Sequence, residues 1–199
     1  EKLNYLNLSS FNTSNVTNMS GLFDGCKSMI SYNLSNFNTS KVWSMASMFN
    51  GNSSLSSLNL SNFNTSKVNS MNSMFSGTKN LTNLNLSSFN TSRVTDMNSM
   101  FMGTTSLINL DLSSFDTQNV QRVLSMFADS GVHKIEVAAN QFDMRSIDMR
   151  YGDSSRDMFK NAINLVGGNG TAYSSSYSNN RAYAHVDAPG NPGYFTLKQ

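Results

Sequence analysis

The sequence predicts an α/β repeat solenoid of the leucine-rich-repeat type, in which 26-residue repeats each contribute a short parallel strand and a short helix. Two observations favour this fold class. Apolar residues recur every 26 positions, and each repeat holds two segments whose apolar residues follow different periods. A third observation concerns the C-terminal end, where the repeat register fails and a β-rich cap is expected to close the array.

The repeat is visible as columns of identical residues at equivalent positions of five consecutive repeats. The columns are Leu8, Leu34, Leu60, Leu86 and Leu112; Phe11, Phe37, Phe63, Phe89 and Phe115; Val16, Val42, Val68, Val94 and Val120; and Phe23, Phe49, Phe75, Phe101 and Phe127. Chance does not produce such agreement, so residues 1–131 are interpreted as about five regular leucine-rich repeats.

The first half of each repeat reads Leu-x-x-Leu-x-Leu, as at Leu55, Leu58 and Leu60. Apolar and polar residues alternate there, which is the period of a β-strand with one buried face. Strands of successive repeats would then lie side by side at about 4.8 Å.

The second half reads Val68, Met71, Met74 and Phe75. At 100° per residue these positions fall on one face of a helix, so the pattern predicts a short helix. Thr65-Ser66 would cap its start and Gly77 would end it in the left-handed region. The methionine column is interpreted as core filling rather than as a metal or redox ladder.

The register changes after residue 127. Val132, Ile135 and Val137 continue the strand pattern one residue early, while Phe159 follows Phe127 by 32 residues instead of 26. We therefore interpret residues 132–164 as an irregular last repeat with an insertion. Residues 165–199, rich in glycine and tyrosine, are interpreted as the C-terminal cap.

Composition narrows the function classes. A formal net charge of +2 gives no reason to expect nucleic acid or an anionic membrane, and no apolar run is long enough to span a membrane. A single cysteine excludes an intrachain disulfide and a cysteine-based metal cluster. The two histidines lie far apart and no catalytic motif accompanies them. We expect no enzyme activity, no cofactor and no metal.

The repeat resembles that of the BspA-like leucine-rich-repeat surface proteins of bacteria. The resemblance is carried by a continuous segment and by four residues that follow it. The segment is Leu60-Ser61-Asn62-Phe63-Asn64-Thr65-Ser66-Lys67-Val68, and the residues after it are Met71, Met74-Phe75 and Gly77. The resemblance implies display on the bacterial cell surface, with the anchor outside this sequence, and adhesion or host-protein binding in some members. Ordinary leucine-rich repeats carry Asn or Cys where Phe63 stands. We expect the Asn64-Thr65-Ser66 stretch to satisfy the turn instead.

The polar side chains of the predicted strands suggest where a ligand would bind. By alternation, Asn59, Asn85, Asp111 and Glu136 point away from the core on successive strands. Such a face suits a glycan or an extended peptide, since amides and hydroxyls hydrogen-bond to both. The simpler interpretation is a solubilising surface of small polar groups. Tyr5 is the one aromatic residue expected there, which argues against tight sugar binding.

Charge gathers late in the chain: eight of twelve carboxylates lie between Asp111 and Asp157. Asp111 and Glu136 should be neighbours on adjacent repeats, with Lys134 nearby, and two close carboxylates require a cation, a proton or an arginine between them. We expect Arg145, Arg150 or Arg156 to close this site. A local salt-bridge network is the simpler interpretation.

A short basic column, Lys41, Lys67 and Arg93, is interpreted as a solvated row, with an anion track as the alternative. The function predicted overall is a non-enzymatic bacterial surface module, monomeric, that binds a host extracellular-matrix protein or a surface glycan. The alternative is a structural spacer that displays another domain. Repeats one to four are uniform, as a spacer would be, whereas residues 132–160 are not.

Overall fold

The computed structural model describes residues 4–139, 141–144, 155–178 and 181–199. Successive 26-residue repeats lie against one another and are joined by parallel hydrogen bonding. One line of parallel bridges runs through five repeats, from Asn18 to Ser44, Ser70, Asp96 and Arg122. In the part of the chain that the structure describes, no helix is long and apolar enough to cross a membrane.

Short parallel strands occur where the apolar–polar alternation indicates them. They are β1 (Ser57–Leu58), β2 (Asn83–Leu84), β3 (Asn109–Asp111), β4 (Lys134–Val137) and β5 (Thr196–Leu197). β1 pairs with β2, and β3, β4 and β5 form a second sheet in that order. Asn109 pairs with Lys134, which confirms that the sixth strand segment lies one residue early. The C-terminal strand β5 returns to lie beside β4.

The predicted fold class is wrong, because the second half of the repeat is not a helix. The helices among the described residues are two three-residue 3₁₀ helices, Ser175–Tyr177 and Arg181–Tyr183. An α-helix needs each N–H to bond the carbonyl four residues earlier. Instead, the Met71 N–H donates to the Asp96 carbonyl of the next repeat at 3.0 Å. The structure is a stack of turn-rich coils, not of strand-plus-helix repeats.

Left-handed backbone at two positions of each repeat explains the missing helix. Ser73 has φ of 54° and Gly77 has φ of 68°, and a right-handed helix cannot pass through such residues. The first position holds Ser47, Ser73, Ser99 and Ser125; the second holds Gly25, Gly51, Gly77, Gly103 and Asp129. Thr65-Ser66 therefore caps no helix, although Gly77 does adopt the predicted left-handed conformation.

The turns nevertheless bury the residues that the helical pattern selected. Met74 N–H donates to the Met71 carbonyl at 3.2 Å, which closes a turn across three residues. Such turns bring residues three apart to the same side, as a helix does. Val68, Met71, Met74 and Phe75 are all fully buried. The core columns are thus as predicted from the second repeat on, whereas Phe11 in the first repeat is exposed and Val16 is partly buried. The backbone that supports the columns differs from the prediction.

Stacked aromatic rings run through the centre of the molecule. Phe23, Phe49, Phe75, Phe101, Phe127 and Phe159 form one column with neighbouring ring centroids 5.6 to 6.0 Å apart. Phe159 lies 10° from parallel with Phe127, so the column continues across the longer spacing.

A buried threonine in each repeat replaces the asparagine of ordinary leucine-rich repeats. The Thr65 hydroxyl donates to the Asn90 carbonyl at 2.9 Å and accepts from the Asn90 N–H at 2.8 Å. The same donated bond is made by Thr13, Thr39, Thr91 and Thr117. The expectation that the Asn64-Thr65-Ser66 stretch satisfies the turn is therefore confirmed.

The C-terminal segment is held by a buried carboxylate rather than by a β-rich cap. Its one named strand among the described residues is β5, which has two residues. Asp187 accepts hydrogen bonds from the N–H groups of Asn169 and Thr171, at 2.8 and 2.9 Å, and from the Gly193 N–H at 3.2 Å. These bonds lower the pKa of Asp187, although its burial alone would raise it.

Candidate functional site

The face formed by the strand segments carries an open polar groove. A cavity of about 490 Å³ lies over β1, β2 and the preceding repeat. Its lining residues are Ser31, Tyr32, Ser57, Leu58, Asn59, Ser61, Asn83 and Asn85. A second cavity of about 330 Å³ continues over β2, β3 and β4, lined by Thr82, Asn83, Leu84, Ile108, Asn109, Asp111 and Glu136. Asn83 borders both, so the two cavities follow one another along the stack.

The asparagines that recur on this face hold the backbone turn after each strand. Asn59 Oδ1 accepts the Ser61 N–H at 3.0 Å, and Asn85 Oδ1 accepts the Ser87 N–H at 3.0 Å. These are Asx turns, which fix the bend after each strand. Because the side-chain oxygens are used in this way, the amide groups remain as donors. Within the described residues, neither Asn59 nor Asn85 donates from its amide nitrogen to a protein partner.

The predicted carboxylate pair is present, and lysines neutralise it. Asp111 stands opposite Glu136 in the β3–β4 register. Lys134 Nζ lies 2.6 Å from Glu136 Oε1, and Lys198 Nζ lies 2.5 Å from Asp111 Oδ2. Partial burial would raise the pKa of Asp111, but the hydrogen bonds from Lys198 and Ser113 hold it below its ordinary value.

This pairing changes the interpretation of the charged site. Arg145 and Arg150 lie outside the described residues. Arg156 is described, and its backbone carbonyl accepts the Ser125 N–H. The cation that the two carboxylates require is supplied by Lys134 and Lys198, which agrees with a salt-bridge network. The described residues hold no group of three or more acidic, histidine or cysteine side chains suited to a metal ion.

Sequence reasoning missed two residues of this face. Lys198 is 87 residues from Asp111 and reaches it because β5 returns beside β4. Tyr32 occupies a position that is leucine in the other regular repeats, and it borders the first cavity, over β1 and β2. Its hydroxyl donates to Asn52 Oδ1 at 2.5 Å, and burial raises its pKa. The departure from leucine at Tyr32 was the available signal.

These features define a class of protein: a stack of parallel hydrogen-bonded repeats that presents a polar groove along one face. The chain belongs to the family described as "Mycoplasma protein of unknown function, DUF285". Two overlapping matches, to residues 1–89 and 53–172, cover most of it, as expected when one unit recurs. This membership fits a bacterial surface repeat protein. No curated protein and no solved structure shows a significant match.

Proposed function

We propose that this protein is a non-enzymatic binding module displayed on a bacterial cell surface, where it recognises a host extracellular-matrix protein or a surface glycan. The observation that carries the proposal is the groove over β1 and β2. Its amide groups are held in place by Asx turns while their N–H donors face solvent. Donors fixed before binding lose little conformational entropy when a ligand arrives.

The groove is suited to an uncharged, extended ligand. Its lining residues are serine, asparagine, leucine and tyrosine, none of them charged. Tyr32 borders the groove but offers it little aromatic surface, because its ring is 8% exposed and packs against Phe23 and Phe49. The second cavity, beside Asp111 and Glu136, extends the same face toward internally paired charges.

The proposal includes a relationship to the BspA-like surface proteins, on the basis of the shared repeat sequence. We take the module to act as a monomer. The uniform repeats favour a second candidate: a spacer whose threonine and phenylalanine columns stiffen a stalk. The experiment that follows separates the two functions.

The test replaces amide donors without disturbing the turns. Asn59→Asp with Asn85→Asp keeps the Oδ1 acceptor, as Asp111 does naturally for the Ser113 N–H at 2.9 Å. Asn64→Asp with Asn90→Asp is the matched control. These residues make the same Asx turn elsewhere in the repeat, and Asp116 is the natural precedent.

Both pairs are assayed for binding to fibronectin, collagen and a set of neutral oligosaccharides. We expect saturable binding of one probe, weakened about tenfold by the strand-face pair and less than about twofold by the control pair. Equal weakening by the two pairs would contradict the site. A folded, monomeric protein that binds none of the probes would favour the spacer.

A further inference from the structure

A second surface, on the other half of the repeat, combines the single tryptophan with a row of cations. Trp43 is 47% exposed, although the chain has a continuous core. Its equivalents in adjacent repeats are Thr17 and Asn69, so the indole projects from a row of smaller polar residues. An isolated exposed aromatic residue is ordinary. Trp43 differs from such residues because positively charged side chains lie beside it.

Backbone hydrogen bonds fix the position of the indole. Trp43 N–H donates to the Thr17 carbonyl at 2.8 Å, and the Trp43 carbonyl accepts the Asn69 N–H at 2.9 Å. The same ladder continues from Asn69 to Thr95 at 2.9 Å. Trp43 therefore stands on a rigid parallel ladder rather than on a free loop, and its neighbours present amide and hydroxyl groups.

The cations form a row two residues before this ladder. Lys41, Lys67 and Arg93 occupy equivalent positions of successive repeats and are all exposed. Parallel pairing spaces such positions about 4.8 Å apart. Val42 is fully buried between Lys41 and Trp43, which places both exposed side chains on the solvent side of the same coil.

Among the residues that the structure describes, no carboxylate forms a salt bridge with this row. Lys41 Nζ donates to Asn15 Oδ1 at 2.7 Å, a neutral partner. Residues 12–20, 38–46 and 64–72, which form this side of the first three repeats, contain no carboxylate. The fourth repeat, which carries Arg93, has Asp96 on this side, and Asp96 forms a salt bridge with Arg122 at 3.5 Å. Aligned like charges disfavour the folded state. An anionic ligand along the row would remove that repulsion.

We propose that Trp43, Lys41, Lys67 and Arg93 form a binding site for an acidic polysaccharide, separate from the strand-face groove. One sugar ring would stack on the indole while sulfate or carboxylate groups of successive sugars meet the cations. The spacing of the cations is comparable to the length of one sugar unit. A nucleic acid is disfavoured, because single-strand sites use several aromatic platforms and this surface has one.

The tryptophan supplies the assay, because it is the only one in the chain and its fluorescence reports on the site. The full chain is titrated with heparin, with hyaluronan as a carboxylate-only polysaccharide, with neutral dextran and with single-stranded DNA. We expect a saturable change in Trp43 emission with heparin that weakens as salt rises, and none with dextran. Hyaluronan distinguishes sulfate from carboxylate recognition.

Substitutions taken from the repeat itself provide the variants. Lys41→Asn with Lys67→Asn introduces the residue found at Asn15, and Lys27→Ser with Lys79→Ser removes the same charge elsewhere, following Ser53. We expect the first pair to weaken heparin binding about tenfold and the second pair less than about twofold. Trp43→Asn, measured by calorimetry, should also weaken it while leaving the charge unchanged.

Four outcomes would overturn the proposal, the first three of which concern a chain that binds heparin. Those three are equal weakening by the two lysine pairs, heparin binding without any change in Trp43 emission, and tighter binding of single-stranded DNA than of heparin. Absence of heparin and hyaluronan binding by the folded chain would do the same. Because Asn59 and Asn85 are unchanged in these variants, the result is independent of the strand-face proposal.

Discussion

The threonine ladder predicts that one hydroxyl group contributes substantially to stability. Thr65 is 1% exposed, and its Oγ1 both donates to and accepts from the Asn90 backbone. Thr65→Val keeps the side-chain shape and removes the hydroxyl. One backbone donor and one backbone acceptor of Asn90 then lose their partner.

The magnitude follows from those two groups. Each buried polar group left without a partner costs about 1 to 3 kcal/mol. Since Asn90 itself is exposed, water reaches part of its backbone, and we expect a total loss of about 2 to 4 kcal/mol. Thr65→Ser keeps the hydroxyl and removes only a methyl group, and the loss of that methyl group should cost about 1 kcal/mol.

Urea denaturation followed by circular dichroism measures the global effect. Repeat proteins can unfold in parts, so hydrogen exchange of the Asn90 amide measures the local effect. Thr95→Val is the control, because the Thr95 hydroxyl is partly exposed and makes a longer bond, 3.3 Å, to the Asn69 carbonyl. We expect the control to change stability by less than about 0.5 kcal/mol. The reasoning would be refuted if Thr65→Val changed stability as little as Thr95→Val does. It would also be refuted if Thr65→Ser lost as much stability as Thr65→Val.

Three further predictions concern stability. Phe75→Ala should cost about 3 to 5 kcal/mol by thermal or urea unfolding, because the ring stacks on Phe49 and Phe101, whereas Phe75→Leu should cost less than half as much. Gly131→Ala should destabilise the fold far more than Gly77→Ala, because the new Cβ at position 131 would overlap the Thr105 carbonyl. At position 77 the substitution costs only about 1 kcal/mol, since alanine disfavours the left-handed backbone there. Equal losses of stability in the two variants would contradict this. Asp187 has a lowered pKa, so its stabilisation is complete above about pH 4 and is lost as pH falls through its folded value. The Asp187→Asn variant should be less stable at neutral pH, and its free energy of unfolding should depend less on pH in acid. An unchanged dependence on pH would contradict the stabilising role of the Asp187 carboxylate.

The buried columns could be predicted from the sequence because burial depends on side-chain identity at a fixed spacing. Leu60, Val68, Met71 and Phe75 are all fully buried, as their columns indicated. The threonine role was predictable for a related reason: a polar residue that recurs between apolar columns needs a hydrogen-bond partner. Thr65 finds that partner in the adjacent repeat.

The helix could not be distinguished from turns by spacing alone. Offsets of three and four place residues on one side both in a helix and in successive three-residue turns. The deciding feature was Ser73 at φ of 54°, and serine gives no strong signal for left-handed backbone. The bonds from Met71 and Ser73 to the next repeat are long-range, so local periodicity carries no information about them.

Only those residues of the candidate site that occupy equivalent positions of successive repeats could be predicted from the sequence. Alternation placed Asn59 and Asn85 on the groove, and strand register placed Asp111 opposite Glu136. Lys198 was not predictable, because no sequence pattern links the C-terminal residues to β3. Arg145, offered as a partner for the carboxylates, lies outside the described residues.

The regularity of the repeat also indicates where function should be sought. Asn59 and Asn64 each recur because an Asx turn needs an oxygen at that place, as the bonds to Ser61 and Ser66 show. A recurring polar residue is thus explained by the fold before any ligand is considered. Two residues break their column: Tyr32 stands where leucine is usual, and Trp43 where small polar residues are. The fold explains Tyr32, whose hydroxyl donates to the buried Asn52, whereas the indole of Trp43 is 47% exposed. Trp43 lies on the surface for which we propose an acidic polysaccharide. Because each equivalent position shows a residue that the same backbone accepts, replacing Trp43 with Asn removes the departure while keeping the turn.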